Sequence, residues 1–199
     1  MRNVCVFLIT IACALPVPAQ AHLVNTGLGP FYDGITHFLV SPETMLAVLA
    51  LGLLAGVNGP GCGRAALFGG LVAWCVGSLG GFVFRWSPPF IICLLVPLLL
   101  GVIVAVQSRV PRGVIVLLAA LTGSLTGLAS GDALGDAQQG VLGVSGTVIP
   151  LFVLLSIVTG IAVGARKEWA RTVVRVAGSW IAAMSLLMIG WWWRTGAGG

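Results

Sequence analysis

Ala65-Ala66-Leu67-Phe68-Gly69-Gly70-Leu71-Val72-Ala73-Trp74-Cys75-Val76-Gly77-Ser78-Leu79-Gly80-Gly81-Phe82-Val83-Phe84 runs without one charged side chain and stops at Arg85-Trp86-Ser87-Pro88-Pro89. About twenty apolar residues in a helix span the ~30 Å hydrocarbon core of a bilayer. Lipid offers the backbone no hydrogen-bond partner, so a spanning segment must be a helix or part of a closed barrel. The strict alternation of a barrel strand is missing here. A membrane helix is therefore the reading. Five further apolar segments follow the same plan, at about 41–57, 90–106, 113–130, 144–165 and 176–193, each bounded by charged or helix-breaking clusters. The sequence predicts an all-α polytopic membrane protein with six transmembrane helices in one domain, residues 22–199.

Composition points the same way. Hydrophobic residues make up 58 % of the 199 positions and charged residues 8 %. A soluble domain carries about 25 % charge, so this chain cannot cover a globule with polar surface. A soluble enzyme, a disordered tail and a nucleic-acid binder are all excluded. The five cysteines form no C-x-x-C pair, so no disulfide framework or zinc site is implied.

The net charge of +5 is unevenly placed. Loops after the first, third and fifth segments carry Arg64, Arg109, Arg112, Arg166, Lys167, Arg171 and Arg175, against Arg85 and Arg194 on the opposite side. The positive-inside bias puts the cation-rich loops in the cytoplasm of a bacterial inner membrane. Both ends of the mature chain then lie outside. The N-terminus agrees. Met1-Arg2-Asn3 leads an apolar stretch at 4–15, then Pro16-Val17-Pro18-Ala19-Gln20-Ala21. This is the pattern of a signal peptide, residues 1–21, cleaved after Ala21. His22 would then begin the mature chain and offer an α-amine and an imidazole together.

Small residues four apart let helices approach closely. Gly123, Gly127, Gly131 and Gly135 form one such row, and Gly77/Gly81, Gly52/Gly56 and Gly160/Gly164 repeat the spacing. They predict tight packing within one bundle, with homo-oligomerisation or a membrane partner through a Gly face as the alternative. Trp86 and Trp191-Trp192-Trp193 read as interfacial anchors, and Trp169 as one at the inner surface.

The polar inventory is small. The acids are Asp33, Glu43, Asp132, Asp136 and Glu168, and the histidines are His22 and His37. All but Glu168 fall at the outer side of the predicted topology. Ionisable groups near membrane depth are costly and mark function. His22, His37, Glu43, Asp132 and Asp136 together offer imidazole nitrogen and carboxylate oxygen, donors that suit nickel, cobalt, zinc or copper. Each has a plainer role as well. Ser41-Pro42-Glu43 is a helix start, with Ser as N-cap, Pro at the first position and an acid in the first turn. Asp132 and Asp136 also suit a Gly-rich turn. No H-E-x-x-H, G-x-S-x-G or phosphate loop is present, so no enzyme is predicted.

Residues 29–52 resemble the opening of the HupE/UreJ family, the hydrogenase and urease accessory membrane proteins regarded as nickel or cobalt permeases. Phe31, Gly34, His37, Leu46, Ala47, Ala50 and Gly52 match the family pattern. Glu43 takes the place of an Asp, and Thr44 that of a second His. A second family motif, H-G-x-A-H-G-x-E, falls on Thr126-Gly127-Leu128-Ala129-Ser130-Gly131-Asp132-Ala133, with Thr126 and Ser130 in place of both histidines. The resemblance implies six helices after a signal peptide and a secondary permease with the divalent metal as its substrate, not a resident cofactor. His22, His37 and Glu43 would capture the ion and Asp132 would receive it. A non-transporting accessory or assembly subunit is the alternative, because hydroxyls are poorer nickel ligands than imidazoles.

Overall fold

The computed structural model describes residues 27–135 and 140–196. His22 and Asp136 lie outside them, as does the signal-peptide segment. Among the described residues there are seven helices and no strand: α1 Pro30–Val40, α2 Pro42–Val57, α3 Pro60–Phe84, α4 Phe90–Val106, α5 Arg112–Gly135, α6 Gly140–Gly164 and α7 Glu168–Gly196. All six predicted apolar segments are helical. Helices α3, α5, α6 and α7 are each long and apolar enough to cross a membrane, and the bent pair α1/α2 passes the same test as one unit. α4 is apolar but only 17 residues long.

The helix starts follow from local chemistry. Pro42 and Pro60 open α2 and α3, where a missing N–H costs nothing and the ring pre-sets φ. α3 stops when Arg85 turns left-handed (φ 51°) and its N–H bonds the Gly81 carbonyl at 2.9 Å. Pro88 and Pro89 then block continuation.

The structure adds three local details. The chain before Ser41, to which the sequence reading assigned no element, is a helix, α1, and it meets α2 at a 72° bend. Ser41 does occupy the N-cap position of α2, but its side chain makes no cap bond. Its Oγ instead donates to the His37 carbonyl at 2.8 Å, closing the end of α1. The polar stretch after residue 130 is not all loop either, since α5 carries on through Asp132 to Gly135.

Glycine rows set the packing. A Cβ on Gly123, Gly127 or Gly131 of α5 would land on the carbonyl oxygens of Gly70, Trp74 and Ser78 of α3. From the other side, a Cβ on Gly77 would sit 2.5 Å from the Ser124 carbonyl oxygen. The two backbones therefore touch along several turns, close enough for Cα–H to carbonyl contacts. Gly101 and Gly178 join α4 to α7 in the same way, and Gly34 and Gly146 join α1 to α6. Gly52 and Gly56 of α2 seat against Val158 and Ala162 of α6. These rows are used inside the bundle. By contrast, nothing lies within 4 Å of a Cβ built on Gly160 or Gly164.

The centre is filled by Leu51, Leu54, Trp74, Leu100 and Ile115, all buried. Outward, Phe68, Val72, Val76, Leu79 and Val83 form an exposed apolar stripe along α3. A stripe so apolar fits a lipid-facing surface. Trp86, Trp169, Trp191 and Trp193 are exposed near the helix ends, as interfacial anchors are.

Candidate functional site

Three of the acids and the imidazole of His37 collect at one end of the bundle. Asp33 and His37 stand one turn apart on α1, Glu43 sits in the first turn of α2, and Asp132 lies in the last turn of α5. Asp33 is buried, while His37, Glu43 and Asp132 are half-buried. His37 and Glu43 flank the bend at Ser41-Pro42. Glu43 also lies within electrostatic reach of the Cys93 thiol near the start of α4. The backbone N–H of Asp132 backs onto Gly81, where a Cβ would come within 2.9 Å of it. Among the described residues, no three His, Cys, Asp or Glu side chains group closely enough to hold a metal ion. His37, Glu43 and Asp132 thus share an end of the molecule without forming one cluster.

Directly inward from this end lies a level of hydroxyls. A cavity of about 10 Å³ is lined by residues of four helices, including Val48 of α2, Trp74 of α3, Thr126 of α5 and Leu151 of α6. One helical turn outward on the same faces stand Thr44, Ser78, Ser130 and Thr147. All four are buried, as is Thr126 itself. The registers agree. Gly52 faces Leu155 and Gly56 faces Thr159, and the same offset brings Thr44 level with Thr147. Ser78 is held against α5, its Oγ donating to the Gly127 carbonyl at 3.3 Å.

Buried hydroxyls need hydrogen bonds, and several find them on their own helix. Thr126 donates to the Thr122 carbonyl at 2.7 Å, and Thr147 to the Val144 carbonyl at 2.7 Å. A hydroxyl that spends its proton this way keeps its oxygen lone pairs for a cation or a water proton. Trp74, on the cavity wall, is fully buried, and its Nε1 has no hydrogen-bond partner among the described residues.

A family model for the HupE / UreJ protein matches residues 10–188. The chain belongs to the HupE/UreJ family. No curated protein and no solved structure matches it. Family membership makes it a multi-pass membrane protein of a transport or accessory class. Thr44, Thr126 and Ser130, the hydroxyls that the sequence reading set against motif histidines, are all buried. Ser78 and Thr147 belong to the same level but were not marked by sequence reasoning. A lone Ser or Thr inside an apolar run carries no signal until the helix registers are known.

Proposed function

We propose that this HupE/UreJ protein is a secondary permease for a divalent transition metal, nickel or cobalt, taken from the outer side of a bacterial inner membrane. The proposal includes six spans, with α4 and the bent α1/α2 unit each crossing. It also includes a signal peptide removed after Ala21 and both mature ends outside. The cation-rich loops support this orientation, and the opposite end gathers Asp33, His37, Glu43 and Asp132. His22 and Asp136 join His37, Glu43 and Asp132 as the proposed ligands.

The observation that carries the proposal is the hydroxyl level from four helices, placed immediately inward of the carboxylates and the imidazole. A metal captured at that end meets oxygen donors rather than bare hydrocarbon on its way in. The driving force is electrical. A divalent cation gains about twice 2.3 kcal/mol per 100 mV on moving to a negative interior.

A second reading, a non-transporting accessory or assembly subunit, is favoured by one observation. Hydroxyls replace imidazoles at Thr44, Thr126 and Ser130, and hydroxyl oxygen is the weaker ligand for nickel. In that reading the Gly160/Gly164 face is free to seat a partner helix or a second copy.

The test is metal titration of the purified protein after mass spectrometry of its N-terminus. The proposal expects a chain beginning at His22 that binds nickel or cobalt at micromolar or tighter Kd, with binding lost in His37→Ala. A different N-terminus and no binding of any divalent ion would favour the accessory reading.

A further inference from the structure

The opposite, basic end of the bundle contains a second polar feature. A cavity of about 250 Å³ opens there among the α2–α3 turn, the α4–α5 loop and the α6–α7 loop. Arg109, Arg166 and Arg171 line it together with Asn58, Gln107 and Ser108. Among the described residues, no acid stands on its wall. Glu168, the acid of this end, begins α7 off the cavity.

Positive-inside orientation requires cations on these loops but does not require them to converge. Here the convergence is built. The Asn58 side-chain oxygen accepts from the Val110 N–H at 2.9 Å, tying the first loop to the second. Gln107 caps α4 in the left-handed conformation (φ 54°), and its Nε2 donates to the Arg171 carbonyl at 3.1 Å. Arg175 Nε donates to the Ala105 carbonyl at 3.3 Å. The α2–α3 turn, the α4–α5 loop and the first turns of α7 are thus fixed around one polar hollow. α3 starts on the rim at Pro60, but α2, α4 and α6 end on it, so the positive potential of the hollow comes from its arginines and not from helix dipoles.

We infer that this cavity binds a phosphate group, delivered either by an anionic phospholipid headgroup or by a soluble phosphate. Guanidinium forks match phosphate oxygens in charge and geometry. Basic hollows between membrane helices are suited to anionic headgroups. Ser108 and the remaining N–H of Gln107 Nε2 are neutral groups beside the arginines, while Asn58 is spent on the Leu54 carbonyl and the Val110 N–H.

The full chain, purified in a neutral detergent, would be titrated with dioctanoyl phosphatidylglycerol, dioctanoyl phosphatidylcholine and inorganic phosphate. The thermal unfolding midpoint is the readout. The expected result is half-saturation by the glycerol lipid at about a tenfold lower concentration than by the choline lipid. Arg109→Gln, Arg166→Gln and Arg171→Gln should each weaken it about tenfold. Lys167→Gln, at the same end but off the cavity, should leave it unchanged. Protection by inorganic phosphate with the same sensitivity to these variants identifies a soluble phosphate as the ligand. Protection by the lipid alone identifies the headgroup. Equal response to both lipids with none to phosphate overturns the site. So does a Lys167→Gln loss as large as the arginine losses, which would show a diffuse basic surface. The wild-type comparison decides whether or not a variant folds.

Discussion

At the scale of single residues, the backbone contacts of α5 are the most demanding feature. A Cβ on Gly127 would fall on the Trp74 carbonyl oxygen, and backbone cannot step aside as a flexible side chain can. Gly127→Ala should therefore destabilise by about 1–3 kcal/mol, read as a lower thermal midpoint. Gly160→Ala meets open space and should stay within about 0.5 kcal/mol of wild type. Equal effects would mean that the α3–α5 register is wrong. The G-x-x-x-G spacing was legible in the sequence, but which rows are used inside and which stay open was not. That depends on what each row faces. Thr126 supplies a second residue-scale prediction. Its hydroxyl bonds its own helix at the Thr122 carbonyl, so the isosteric Thr126→Val leaves no orphaned partner elsewhere. Stability should hold while metal uptake drops about tenfold, and Thr126→Ser should restore it. Loss of both together would mark Thr126 as structural only.

At the scale of elements, six apolar helices could be read from charge-bounded runs because lipid demands long uncharged segments. α1 could not be read that way. It is eleven residues long and holds Asp33 and His37, so a search for spans passes over it. The junction of Thr44, Ser78, Ser130 and Thr147 was half legible. Thr44 and Ser130 stood out as replacements in a family motif, whereas Ser78 and Thr147 needed the helix registers. The loop ties belong to this scale too. Asn58→Ala removes the acceptor of the half-buried Val110 N–H and should cost about 1–3 kcal/mol, seen as a lower thermal midpoint. No change would show that the basic loops are not fixed by that bond.

At the scale of the whole molecule, polarity runs along the bundle axis, with Asp33, His37, Glu43 and Asp132 at one end and seven cations on and beside the loops of the other. Single-cysteine labelling in intact cells checks it. A thiol placed at Trp86 should react with an impermeant reagent, and one placed at Lys167 should not. The reverse pattern would invert the topology. Capture by His37 gives the pH dependence its sign. An imidazole binds metal only when neutral, so uptake should fall once external pH drops far enough to protonate His37. A flat profile would remove His37 from the path. The most direct test of the central claim is nickel and cobalt uptake into proteoliposomes holding the mature chain, with an interior-negative potential. The account predicts accumulation above empty vesicles that rises with the potential and is lost in Glu43→Gln. Accumulation no greater than in empty vesicles, at any potential, would contradict it.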